Sequence, residues 1–450
     1  MKIALFVHCF FPQHFYGTET YTLDMARHYR AAGHEVVVIS AVFQGEPKTE
    51  SMVTRYEYHG IPVVCIDKNY IQHIRVKETY YQPDMRLVLE TLLHELRPDL
   101  IHVTHLINHT SVLLEVTQQL GIRTYATFTD FFGFCLNNKL EDADGALCAG
   151  PSARRTNCVA CYIKDASRSP HADTWIRCGR SPWRARLIAE TVYVARQLPN
   201  LRGTSVDGLI EDIVRRPETL LSLYNSAYSA AVSPTRFLRT AYERNGIAVP
   251  LYNIPFGVDI DRSDKPQRPA GHVPVIGFIG QLAPHKGPDL LIDAFKSLPP
   301  NSAQLQIYGP PDQDADYMAQ LLRSAEGHSI KFQGTFPSAQ MAAVLREIDL
   351  IVIPSRWYEN SPLVLLNALA THTPVLISDV DGMTEFLVDG QNGLRFRRGD
   401  VSDLQKKLAT LVLHEGQLAD MSLTTSYERT TELMAYETLN IFLNQPQDRK

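Results

Sequence analysis

Two doubly wound α/β domains in tandem are what this sequence predicts, from three observations. Short apolar runs alternate with helical patterns through the first 128 residues. The same alternation starts afresh at Val275, and a stretch rich in Pro, Gly and charge, 252–274, separates the two series and reads as a linker. Strand, helix, strand in this rhythm means crossover connections and a parallel sheet covered on both faces.

In the first series, "IALFV" (3–7) is a buried strand, and Glu19 to Ala32 forms a helix stopped by Gly33. "EVVVIS" (35–40) carries the β-branched residues that suit a pleated surface. "PVVCI" (62–66), a helix from Asp84 to Leu96, "DLIHV" (99–103), a helix near 110–120 and "RTYATF" (123–128) complete it. The rhythm breaks between about 130 and 231, where cysteines, arginines and long helical patterns suggest an insertion. The second series runs through "VIGFIG" (275–280), the helix "PDLLIDAFKSL" (288–298) with Pro288 at its first position, "AQLQIYG" (303–309), "IKFQG", the helix "SAQMAAVLREID", "LIVIPS" and "TPVLISD". The expected division is 1–260 with its insertion, 272–425, and a helical tail over 426–450 free to pack back on the first domain. Two such domains leave a cleft, and ligands of such sheets bind at the carboxyl ends of the strands.

A length of 450 residues asks for two cores, and 44% hydrophobic with 21% charged residues is ordinary for a folded soluble chain. The formal net charge of −5 supplies no basic field for nucleic acid, so any anion site must be local. No run of 18 apolar residues predicts a membrane span, and "MKIALFVHCFFPQHF" lacks the cleavage site of a signal peptide. A cytosolic chain is expected, with free or metal-bound thiols rather than disulfides.

Two stretches carry chemistry. "GFIGQLAPHKGPDLL" (277–291) puts Gly280 at a strand end and Lys286 beside a helix start, where close backbone approach, N–H groups and a full positive charge suit a phosphate. The alternative is a plain strand–loop–helix connection with a solvated lysine. "SRWYENSPLVLLNAL" (355–369) repeats the arrangement: Ser361 is expected to cap a helix, Pro362 to take its first position, and Glu359 to stand beside its N-terminus. There a carboxylate can accept ligand hydroxyls, or merely favour the helix dipole at about 0.3–1 kcal/mol.

The ordered set "GTE" (17–19), "GHEVVVIS" (33–40), "VSPTRF" (232–237), "IPFGVD" (254–259), "GQLAPHKG" (280–287), "IVIPSRWYENSPLVLLNALATHTPV" (351–375), "DGMTEFLVDGQNGLRF" (381–396) and "GD" (399–400) resembles the retaining glycosyltransferases of family four, of GT-B fold. The resemblance implies that Glu359 and Lys286 are catalytic, and that Gly17, Thr18, Gly280, Gln281, His285, Arg356, Asn360, Ser361, Pro362, Leu363 and Asn367 bind a nucleotide-sugar donor, UDP- or GDP-linked. It also implies fixed cations and N–H dipoles, rather than a catalytic metal, at the departing diphosphate. Three positions depart from the family. Asn367 stands where an acid holds the ribose hydroxyls, a change worth about 1 kcal/mol or several-fold in affinity. Gln281 stands where many members have Arg, and Thr129 where many have His, so Thr129 and Asp130 are candidate sugar or acceptor contacts. The acceptor expected is a saccharide or a lipid-linked saccharide. A nucleotide-sugar epimerase of the same fold, or a catalytically weak sugar-nucleotide-binding partner of another transferase, are the alternative readings.

Cys135, Cys148, Cys158 and Cys161 are separated by twelve, nine and two residues, and four thiolates with a closing CxxC suit a structural zinc. An iron–sulfur cluster is the other option. A subset of the family carries a similar cysteine-bearing insertion. Six Arg and one Glu in 175–202, interspersed with apolar residues, suit a helix lying on an anionic membrane face, a solvated helix, or a contact for an acidic acceptor.

Overall fold

A computed structural model describes residues 1–444 except 48, 49, 270 and 415, so 445–450 of the tail and one linker position lie outside the described residues. The chain separates into two compact units, one of residues 1–255 together with the segment from Met434 onward, the other of Phe256–Leu433.

The first unit is built on eight strands: β1 (Lys2–Phe6), β2 (Glu35–Val42), β3 (Val53–Tyr58), β4 (Ile61–Asp67), β5 (Leu100–Val103), β6 (Arg123–Thr127), β7 (Tyr228–Ser233) and β8 (Leu251–Asn253). Their order is β3-β4-β2-β1-β5-β6-β7-β8, parallel except where β3 runs antiparallel to β4. Ile3, Ala4, Leu5 and Phe6 of β1 are fully buried, as a central strand covered on both faces requires. The second unit has β9 (Val275–Ile279), β10 (Gln304–Tyr308), β11 (Ile330–Gly334), β12 (Leu350–Ile353), β13 (Val375–Ser378) and β14 (Gly393–Phe396), in the order β11-β10-β9-β12-β13-β14 and parallel throughout. Its core joins Ile276, Leu291, Leu305, Leu350, Leu376 and Leu404 across the sheet and its helices. Each such side chain contributes about 1.5–3 kcal/mol by burial.

Both sheets reverse strand order once, between β1 and β5 in the first and between β9 and β12 in the second. Crossovers leave the sheet on opposite faces at such a point, which opens a crevice at the strands' carboxyl ends.

Three expectations take a more specific form. The stretch 252–274 carries the boundary between the two units, after Pro255, and part of it is hydrogen-bonded rather than loose. Tyr252 and Asn253 belong to β8, while farther on Val258 N–H donates to Arg429 O (3.0 Å) and Asp259 Oδ1 accepts from Thr431 N–H (3.2 Å), which straps the segment to the second unit. At Gly257 the packing is close, since a Cβ there would lie 2.0 Å from Thr430 O. The first sheet gains an antiparallel hairpin at its edge, turned through His59 and Gly60, both at positive φ. The sheet also resumes with β7 at Tyr228, inside the stretch assigned to the insertion; between β6 and β7 lie the helices Thr156–Ala166, Thr174–Arg177, Pro182–Ala195 and Ser205–Ala227. The helix Thr431–Leu443 carries Phe442, which stacks on Tyr125 with ring centroids 4.4 Å apart. Among the described residues no helix is long and apolar enough to cross a membrane.

Candidate functional site

The loops after β9 and β12 meet at the reversal point of the second sheet. After β9 the chain passes Gly280 and Gln281 into a short turn, Pro284–Lys286, and enters the helix Pro288–Phe295 through Gly287 at φ 72°. A Cβ on Gly287 would lie 2.2 Å from Pro354 O, so only glycine lets the two loops come this close. After β12, Ser355 to Pro362 lead into the helix Leu363–Ala370.

Glu359 is the centre of this junction and is only 7% exposed. Its Oε1 accepts from Lys286 Nζ (2.7 Å), Ser355 Oγ (2.6 Å) and Trp357 Nε1 (2.9 Å). Burial pushes the carboxyl upward, but the Lys286 charge and these three hydrogen bonds outweigh it and hold the group below its ordinary value. Lys286 Nζ also lies 5.0 Å from the centre of the Trp357 ring, and His285 packs on that ring at 3.9 Å. A buried ion pair with this many donors is a fixed arrangement rather than a surface contact.

Next to it, Asn360 Oδ1 and Ser361 Oγ are buried with no hydrogen-bond partner. Buried polar atoms are nearly always paired, so two adjacent orphans at a strand-end crevice single this loop out as a candidate contact. Ser361 does not cap the helix, contrary to expectation. It sits at φ 58°, its hydroxyl makes no cap, and Pro362 stands in the capping position rather than at the first helical one. The left-handed turn carries the Ser361 hydroxyl away from the helix N–H groups, whose first turn stays without a side-chain cap.

Arg356 is engaged elsewhere. Its guanidinium forks Asp289 at 2.8 and 2.6 Å, and Tyr317 Oη donates to the same carboxylate at 2.7 Å. Burial raises the Asp289 carboxyl, while Arg356 and Tyr317 more than compensate and hold it low. His285 O accepts from Arg356 N–H at 2.8 Å, which ties the two loops by their backbones. Gln281 is half-buried in the loop after β9, and Leu363 and Asn367 are half-buried in the helix that follows the second loop.

The first unit has a polar cluster at its own reversal point. Thr18, one residue into the helix Gly17–Ala31, donates to Thr129 Oγ1 at 3.3 Å, beyond the end of β6. Asp130 accepts from Phe132 N–H (2.8 Å) and pairs with His105 Nε2 (3.0 Å), which follows β5. The His105 ring packs on His8 at 4.4 Å, and His8 lies 3.4 Å from Glu19 Oε1. Cys9 Sγ donates to Glu19 Oε1 at 2.8 Å. Burial, with His105 and His109 nearby, pushes His8 well down, and burial beside Glu19 pushes the Cys9 thiol up, so both are neutral near pH 7. Among the described residues, His8, Cys9 and Glu19 are the one His, Cys and acid trio with ligand atoms all within 4.8 Å. Sequence reading named Gly17, Thr18, Thr129 and Asp130 but missed His8, Glu19 and His105. The available signal was topological, because "VHC" follows the central strand and "THL" follows its neighbour.

Comparison with known proteins bears on the family and the fold. The family profile "Glycosyl transferases group 1" matches residues 259–425, and "Glycosyltransferase Family 4" matches 15–143. The chain is 29% identical over 187 residues to a D-inositol 3-phosphate glycosyltransferase of Nocardia farcinica, covering 38% of this chain and 41% of that protein. It is 30% identical over 188 residues to a phosphatidyl-myo-inositol mannosyltransferase of Mycobacterium leprae, covering 40% and 48%. The chain thus aligns with under half the length of these curated relatives. Among solved structures, Anabaena Alr3699/HepE in complex with UDP and glucose superposes with a TM-score of 0.62 at 18% identity, over 99% of this chain and 100% of that one. That likeness is one of fold, the two-domain GT-B fold.

Proposed function

Because the chain belongs to the family-four glycosyltransferases of GT-B fold, we propose that it moves a sugar from a nucleotide-sugar donor to a saccharide or lipid-linked acceptor, with retention of anomeric configuration, in polysaccharide or glycoconjugate synthesis. The observation that carries this reading is the Lys286–Glu359 pair at the strand-order reversal, with Asn360 Oδ1 and Ser361 Oγ buried and unpaired beside it.

In the proposed reaction the bond between the anomeric carbon and the diphosphate oxygen breaks and its electron pair leaves with the diphosphate. The acceptor hydroxyl oxygen forms the new bond and gives up its proton to the departing diphosphate. Lys286 has three N–H donors, so it can keep Glu359 and still face the diphosphate as negative charge grows there. The uncapped N–H groups of the helix Leu363–Ala370 add to that stabilisation. Glu359 Oε1 is saturated by its three donors, which leaves Oε2 for a sugar hydroxyl. Asn367 in place of an acid supplies an amide oxygen to a ribose hydroxyl, and donor affinity is expected to be several-fold weaker than with a carboxylate. In the first unit, Thr18, Thr129 and the His105–Asp130 pair are the proposed contacts to sugar or acceptor.

The test is thermal shift and product analysis with UDP-, GDP-, ADP- and TDP-sugars, on wild type and Lys286→Ala. One donor is expected to stabilise the wild type and yield transferred or free sugar, with both effects lost in the variant. Conversion of the donor to its epimer without an acceptor would replace this reading with an epimerase. Stabilisation without turnover would leave a sugar-nucleotide-binding partner.

We extend the proposal to peripheral contact with the cytoplasmic face of a membrane. On the helix Pro182–Ala195, Trp183, Leu187 and Val194 fall on one face and are 62%, 60% and 59% exposed, with Arg180 and Arg184 exposed beside them. An apolar stripe flanked by arginines suits anionic lipid, at about 1 kcal/mol per cation near the surface. Trp183→Glu with Leu187→Glu is expected to abolish cosedimentation with anionic vesicles while donor turnover on a soluble acceptor stays unchanged. Equal cosedimentation of the double variant would remove the membrane reading.

A further inference from the structure

The segment between β6 and β7 folds around four cysteines that neither polar cluster uses. Cys135 closes the turn after β6, its N–H held by Phe131 O at 2.8 Å. The chain then reverses through Asn138 and Leu140, both at positive φ, and the backbone N–H groups of Asn137, Lys139 and Leu140 gather on the Cys135 sulfur. Glu141 bridges to Leu147, which brings Cys148 to the end of a tight hairpin where Gly150 N–H (3.4 Å) and Asn157 Nδ2 (3.8 Å) both point at its sulfur. Cys158 and Cys161, three residues apart on one face of the helix Thr156–Ala166, are buried in the small core that also holds Ala143 and Val159. The Asn137 side chain links two members, accepting from Cys135 Sγ (2.9 Å) and donating to Glu141 O, which Cys161 Sγ also approaches at 3.7 Å.

A second, independent observation points the same way. Arg216, on the helix Ser205–Ala227, is 2% exposed. One of its terminal nitrogens donates to Phe132 O at 2.7 Å and its guanidinium lies 4.7 Å from the centre of the Phe132 ring, while Nη1 is buried with no partner. Cys135, Asp130 and Cys158 all lie within reach of its charge. A guanidinium stays charged even when buried, and with Nη1 unpartnered Arg216 has room for a further negative group beside Asp130.

We propose that Cys135, Cys148, Cys158 and Cys161 bind one structural zinc ion, with Arg216 as the buried counter-charge. Four thiols release four protons to solvent as they bind one Zn²⁺, leaving a tetrathiolate of net charge −2 whose charge the guanidinium halves and the gathered N–H groups stabilise further. No three of these sulfurs lie within 4.8 Å of one another, and zinc–sulfur bonds of about 2.3 Å, hence sulfurs about 3.8 Å apart, require the hairpin and the turn to close onto the helix. The zinc would tie the turn and hairpin that carry Cys135 and Cys148 to the helix that carries Cys158 and Cys161, independently of the donor chemistry.

Metal analysis of the full chain, with a mercurial thiol titration followed by a metallochromic dye, tests this. About one zinc per chain is expected, released in step with modification of four thiols. Cys178→Ser, at an exposed position outside the cluster, should keep that zinc, Cys161→Ser should lose it, and Arg216→Gln should release it to a chelator about tenfold faster. Iron with visible absorption, a disulfide among the four, zinc retained in Cys161→Ser but lost in Cys9→Ser, or wild-type chain without zinc would each overturn the assignment.

Discussion

Glu359→Gln is expected to lower the turnover of sugar transfer about 10²–10³-fold, or about 2.7–4 kcal/mol, with donor KM changed far less. Gln keeps the volume and one acceptor oxygen, so the buried site stays filled, but the full charge that Lys286, Ser355 and Trp357 are arranged around is gone. Lys286 then turns away from its present position, and the charge growing on the leaving diphosphate meets a cation no longer fixed for it. Because the two side chains act through one contact, Lys286→Ala on top of Glu359→Gln should cost much less than the sum of the single changes. Turnover within about threefold of wild type, or strict additivity in the double variant, would sink the assigned role.

The same pair sets a dependence of stability on pH. The folded Glu359 carboxyl lies below its unfolded value of 4.5, so it contributes stability that is fully present above that value and is lost as pH falls through the folded one. Denaturant unfolding of wild type and Glu359→Gln should therefore differ most near neutrality and converge in acid. A gap that stays constant with pH would mean the pair contributes nothing through ionisation.

How much of this could be seen in the sequence depended on whether the cause was local. Short β-branched apolar runs bounded by turn residues, such as "IALFV" and "LIVIPS", read as buried strands, and the strands Lys2–Phe6 and Leu350–Ile353 form there. "VTRYEY" was passed over because an edge strand buries one face at most, so its residues alternate and show no apolar run. "GLRF" escaped for a related reason, a short strand with an Arg at its third position. Ser361 and Pro362 carried the composition of a helix start, but the left-handed backbone at Ser361 shifts the start by one residue and frees the hydroxyl. Lys286 and Glu359 were legible because glycine and proline punctuate the loops that hold them. Positions 8, 19, 105 and 130 meet only through strand order, which no local pattern encodes. Nothing in the sequence around Arg216 marks it; only its burial sets it apart.

Gly382→Ala is expected to destabilise the second unit by about 3 kcal/mol or more, a fall in Tm of about 6–12 °C, and to reduce turnover beyond that loss. Gly382 has φ 87°, and a Cβ there would sit 1.5 Å from Glu359 O and 2.8 Å from Glu359 C. Both atoms are backbone, so no rotamer change relieves the clash. The loop of Ser355–Pro362 must move as a body, and with it the Glu359 carboxylate and the Asn360 and Ser361 groups beside it. Gly390→Ala provides the comparison, since its φ of 82° imposes similar backbone strain but a Cβ there meets nothing within 4 Å. That variant should cost only about 1–2 kcal/mol and leave turnover unchanged. The difference between the two isolates the contact from the strain. Chemical denaturation read beside steady-state kinetics makes the comparison: if Gly382→Ala proves no less stable than Gly390→Ala, the close approach at Glu359 does not exist in solution, and the fixed position of the carboxylate goes with it.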